Sequence, residues 1–105
     1  MNKVYVIQEG NNDYAPAEKF GEVNFITKSD LRNIEPSQQN NAVYFDIAKL
    51  KADYIPGTDY IIPVGNPALV ALVFAALGKV QHKLLKWDGR LGDYILFNIN
   101  PEKVK

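Results

Sequence analysis

At 105 residues the chain is too short for a two-domain enzyme, and its 47% hydrophobic and 23% charged side chains match a globular domain rather than a disordered tail. Twelve basic and twelve acidic side chains cancel, so no global positive field draws the molecule to nucleic acid or to an anionic membrane. The chain has no cysteine, which removes a thiol nucleophile, a zinc ribbon and a disulfide framework. Met1 to Gly10 hold only a four-residue apolar run before Gln8 and Glu9, not a secretory signal, so residues 1–105 read as one intracellular α/β domain. Charge is divided unevenly. Residues 1–78 carry six basic and nine acidic side chains, residues 79–105 six basic and three acidic, an asymmetry that suits head-to-tail pairing or a charged partner as well as a plain solvated surface.

Val4-Tyr5-Val6-Ile7 is β-branched and aromatic and runs into Glu9-Gly10-Asn11-Asn12-Asp13, a strand entering a loop. Tyr14 to Gly21 has proline early and glycine late and reads as a wandering connection rather than a hairpin. Glu22 to Thr27 is a second strand, with Val23, Phe25 and Thr27 on one face and Asn24 and Ile26 on the other. Ser29-Asp30-Leu31-Arg32 offers one helical turn capped by Ser29. Residues 35–41, polar after Pro36, are expected to be mobile. Val43, Ile47, Leu50 and Tyr54 fall at helical steps, predicting a helix capped by Asn40 or Asn41 and firmest after Asp46, since Ala42 to Phe45 also suits a short strand.

Pro56-Gly57 ends that helix, and Asp59 to Val64 forms a third strand whose end is loosened by Pro63. Gly65-Asn66-Pro67 then turns strand into helix: Asn66 is a favoured N-cap, and Pro67 suits the first helical position, where its missing N–H is not needed. The helix Pro67 to Leu77 has no polar side chain and is closed by Gly78. Its eleven residues rise about 16 Å, half a bilayer core, so it does not span a membrane. A helix apolar all round needs covering all round, either by other segments of the chain or by a second subunit in a homodimer through or near it. His82 to Trp87 and Tyr94 to Ile99 are two strands joined at Asp88 to Gly92. The sum is a single mixed sheet of about five strands, two main helices and a C-terminal β-hairpin.

Catalytic groups are sparse. His82 is the only histidine, read as a strand residue at the sheet's edge, and Ser29 and Ser37 lie far from it in polar loops. Asp46, Asp53 and Asp59 flank the central helix and third strand in reach of a hard cation, but at no calcium-loop spacing, and they read first as solvated charges. The candidate ligand site is the turn Gly65-Asn66, with Asp59 beside it, where backbone N–H groups and a helix dipole favour phosphate or carboxylate. It lacks the lysine of a phosphate loop, and Pro67 removes a donor. Lys83, Lys86, Trp87 and Arg90 form a candidate nucleic-acid surface on the hairpin. Strand parity separates Lys86 from Trp87, however, and assigns Trp87 to covering core. The residues imply no cofactor and no metal.

Asp59-Tyr60-Ile61-Ile62 before Gly65-Asn66-Pro67, an Ala-rich apolar helix, and Leu84-Leu85-Lys86-Trp87-Asp88 before a tyrosine together resemble small proteins encoded in tailed-phage genomes. Tyr5-Val6-Ile7-Gln8-Glu9 and Pro16 to Gly21 are similar as well. The short Gly89-Arg90-Leu91-Gly92 loop departs from that pattern, which has more charge there. The resemblance implies a bacterial host's cytoplasm and an accessory role during infection, and implies no activity. A non-enzymatic protein that self-associates and docks a host or phage protein therefore ranks first. A phosphate or nucleotide binder, even a phosphoester enzyme, at the Gly65 turn is the alternative, and nucleic-acid binding by the hairpin the third.

Overall fold

A computed structural model describes residues 2–105. The β-branched runs form strands β1 (Lys3–Gln8), β2 (Glu22–Thr27), β3 (Tyr60–Ile62), β4 (His82–Asp88) and β5 (Asp93–Ile99), and the periodic segments form helices α1 (Gln38–Asp53) and α2 (Pro67–Leu77). One mixed sheet has the order β2-β1-β3-β4-β5. The first four strands are parallel, and β5 returns antiparallel as the C-terminal hairpin. The expected α/β class, five-strand mixed sheet, two main helices and hairpin are all present.

Alternation along the strands builds two cores. Tyr5, Ile7, Ile26 and Ile61 face α1 and α2, meeting Val43, Ile47, Leu50 and Tyr54 from α1 and Leu69 and Val73 from α2. Val4, Val6, Ile62 and Leu85 face the other way, covered by Tyr14 and Ala17 of the β1–β2 connection and by Tyr94. That connection is a 3-10 helix over Ala15–Phe20 rather than a wandering loop. Pro16 sits at its start, where no donor is lost, and an ion pair from Lys19 to Asp93 ties it to β5.

The helix α1 begins earlier than its spacing predicts. Its N-cap is Ser37, whose hydroxyl accepts the Asn40 N–H at 3.3 Å, and Ala42 to Phe45 are helical. The expected helical turn at Ser29 to Arg32 does not form. Residues 35–41, expected to be mobile, are organised around Asn40. Its Oδ1 accepts the Arg32 N–H at 2.7 Å, and its Nδ2 donates to the Arg32 carbonyl and to Glu35 Oε1. A polar run without an apolar side chain is thus held by one buried amide.

In α2 the large side chains turn inward. Leu69 and Val73 are buried and Val70, Leu72, Phe74 and Leu77 partly so, which leaves the outer side to Ala68, Ala71 and Ala75. The chain therefore meets the need to cover an all-apolar helix largely by itself, with small residues where water touches it. His82 is not at an edge: β4 lies between β3 and β5, and the ring is buried against Tyr54 and Phe74.

Candidate functional site

The chain leaves β1 toward the 3-10 face and leaves β3 toward the helical face, so β1 and β3 part at their carboxyl ends. In doubly wound sheets this divergence opens the crevice where ligands bind. Gln8, the last residue of β1, spans it: its Oε1 accepts the Asn66 N–H at 2.9 Å. Gly65 lies under that side chain with φ +127°, and a Cβ there would stand 2.6 Å from the Gln8 Cβ. Both the conformation and the space demand glycine.

Asn66 caps α2 as its residue type predicts, its Oδ1 accepting the Ala68 N–H at 2.9 Å. Its Nδ2 donates to Asp30 Oδ1 at 3.0 Å. Two N–H groups that the turn would aim at an anion are therefore already bonded within the chain, and the Asp30 carboxylate brings negative charge to the same place. Asp59 is not beside this turn. It precedes β3 whereas Gly65 follows it, and its buried carboxylate accepts the Lys3 N–H at 3.0 Å and the Ile55 N–H at 2.9 Å. Asp46 and Asp53 lie on α1, lining a recess with Lys49 and Tyr5 beside β2. Among the described residues, no three His, Cys, Asp or Glu side chains gather to hold a metal ion.

On the 3-10 face the carboxyl ends of β3 and β4 frame a cavity of about 450 Å³, within the usual range for small-molecule sites. Ile62, Pro63 and Val64 come from β3 and its exit, Leu85 and Trp87 from β4, Tyr94 from β5, and Asp13 and Tyr14 from the loop after β1. Trp87 does not cover core as its parity suggests: it stays 46% exposed, its ring edge-to-face with Tyr94 at 5.2 Å. Leu85 already fills that face of the sheet, so the next side chain of the same parity overhangs its end. Burial, then the neighbouring Tyr14 and Asp13, pushes up the Tyr94 hydroxyl pKa, so these three groups share one electrostatic neighbourhood. Sequence reasoning passed over Tyr14, Val64 and Tyr94. The available signal was a polar loop leaving a first strand, which in α/β sheets marks the ligand side.

The basic residues of the hairpin do not converge. Lys83 stands over the Tyr60 ring, 5.3 Å from its centroid, on the 3-10 face. Lys86 has the opposite parity, and Arg90 lies in the exposed β4–β5 turn.

The strand β5 closes one edge of the sheet with an unusual surface. Ile95, Phe97 and Ile99 face the helical side, and Leu96 faces the other; Phe97 is 47% exposed, and Leu96 and Ile99 are exposed as well. Phe74 and Ala75 of α2 share a recess with Ile99, so this apolar strip adjoins the helix.

The sheet order and the parting of β1 and β3 define a small α/β protein with one mixed five-strand sheet, both main helices on one face and an antiparallel last strand. No helix among the described residues is long and apolar enough to cross a membrane. Residues 2–101 match the model of the Phage Pam3 gp32-like protein family, and the chain belongs to that family. It is a phage protein, as the resemblance implies. No curated protein and no solved structure matches the chain.

Proposed function

We propose that this phage protein is a non-enzymatic accessory protein of the host cytoplasm that works by protein–protein contact and pairs with a second copy of itself through β5. The observation that carries this reading is the edge itself. Natural edge strands are guarded by lysine, proline or a bulge, whereas β5 has none of these over seven residues, Asp93 to Ile99. An antiparallel pairing of β5 with its own copy about a two-fold axis sets residues of like parity opposite each other. Ile95, Phe97 and Ile99 then meet their counterparts between two α2 helices. The only charge in the strand, Asp93, stands at its beginning, while Glu102, Lys103 and Lys105, net positive together, follow its end. Antiparallel pairing therefore brings acid beside base at both ends of the contact.

Light scattering coupled to size-exclusion chromatography tests this. The expected result is a dimer for the natural chain and a monomer with unchanged circular dichroism for Phe97→Lys. A natural chain that is monomeric at high micromolar concentration overturns the reading. A dimer split by Ala71→Glu but not by Phe97→Lys moves the interface onto α2.

A further inference from the structure

The cavity between the loop after β1 and the ends of β3 and β4 has the features of a built site for a small molecule, independent of self-association through β5. Its floor is rigid, because Ile62 and Leu85 are fully buried core residues. Its walls come from four segments distant in sequence, and the ion pair from Lys19 to Asp93 fastens the two that carry tyrosines. A cavity held open by core packing needs little reorganisation to accept a guest.

The lining defines the guest. Trp87, partly open to water, and the edge-to-face ring of Tyr94 provide aromatic surface, which favours a planar π-system. The tyrosine hydroxyls bonded to other side chains among the described residues are those of Tyr44 and Tyr54. The hydroxyls of Tyr14 and Tyr94 are left to satisfy polar atoms of a guest, each able to donate and accept. The cavity's one carboxylate is that of Asp13; Lys86 lines it from the strand parity that turns its side chain to the other face of the sheet. Asp13 Oδ1 accepts the Ala15 N–H at 2.9 Å, so this rim turns a carboxylate, not free N–H groups, toward an approaching anion. A phosphate has no cradle here.

We propose that this cavity binds an uncharged planar heteroaromatic molecule of nucleobase or nucleoside size, stacked on Trp87 with its polar edge on the Tyr14 and Tyr94 hydroxyls. Because Trp87 is the only tryptophan, its emission reads the site directly. The probes are adenosine, guanosine, cytidine and uridine, each with its 5′-monophosphate, titrated against the full chain with excitation selective for tryptophan.

The expected result is saturable quenching by at least one nucleoside, weaker for its monophosphate. Tyr14→Phe and Tyr94→Phe each weaken binding about three- to tenfold while the fold is retained, as loss of one hydrogen bond does. Val64→Phe, which fills the cavity, abolishes binding. No saturable response to any nucleoside at millimolar concentration overturns the proposal, as does binding undiminished in the Tyr14→Phe, Tyr94→Phe double variant. A monophosphate that binds more tightly than its nucleoside overturns the assignment of an uncharged guest. The Phe97→Lys chain gives the same titration if the site is independent of the dimer, so a failure of either proposal is read separately.

Discussion

The Tyr54 hydroxyl lies 2.7 Å from Nδ1 of His82, joining the end of α1 to the start of β4 beneath α2. Burial, helped by Asp59, pushes the Tyr54 hydroxyl up to about 12, so it stays protonated and donates to the neutral imidazole. Burial also holds His82 below its ordinary value, outweighing an upward pull from a hydrogen bond with the Gly78 backbone.

This pair makes stability depend on pH. An unfolded chain takes up the histidine proton near pH 6.5, while the native ring resists it, so below that value the unfolded state binds more protons. The contribution of His82 is complete above about pH 6.5 and is lost as pH falls toward the lower native value. Thermal midpoints at pH 7.5 and 5.5 should therefore diverge more in the natural chain than in His82→Gln. Equal pH dependence in the two chains rules the linkage out.

Asn40 should be costly to replace. Asn40→Ala leaves the Arg32 N–H and carbonyl without their partner, and urea unfolding should show a loss of about 2–3 kcal/mol. Asn41→Ala, at an exposed neighbouring position, should change stability by less than about 0.5 kcal/mol. Similar losses from the two would contradict the role assigned to the Asn40 amide.

Replacing Gly65 forces a side chain into a positive-φ position already occupied by Gln8. Gly65→Ala should cost about 1–3 kcal/mol of strain, and Asn66→Ala about 0.5–2 kcal/mol of lost capping. The check is chemical denaturation with and without millimolar phosphate. Phosphate that stabilises the natural chain and not the variants would instead make the turn a ligand site.

Tyr5 points the other way. Its hydroxyl is buried without a hydrogen-bond partner among the described residues, and burial, followed by Asp59, raises its pKa. Tyr5→Phe removes an unsatisfied polar atom while keeping the ring that packs edge-on against Tyr54. It should raise stability by about 1 kcal/mol. A clear loss in calorimetry would mean that a partner for this hydroxyl exists in solution.

Local chemistry made the elements legible. The β-branched run at Val4 to Ile7, the inward face of Val43, Ile47, Leu50 and Tyr54, and the glycine, asparagine and proline at 65–67 each act over a few residues, so the sequence alone determined the five strands, the two main helices and the mixed α/β class. The run without a polar side chain from Pro67 to Leu77 also predicted a wholly apolar α2, though not that its alanines would be the side left to water. The start of α1 was misread because the residue that holds it, Asn40, looks like any polar loop residue until its partners Arg32 and Glu35 fold back onto it.

Contacts across the sheet were decided only by tertiary structure. Strand order buried His82 inside, carried Asp59 to the backbone of Lys3, 56 positions away, and set Gln8 over Gly65. The same ordering brought Tyr14, Val64, Trp87 and Tyr94 around one cavity and left β5 unpaired on its outer side. Helix and strand propensities act between near neighbours, whereas sites and edges arise where distant segments meet, and only packing of the whole chain selects which segments those are.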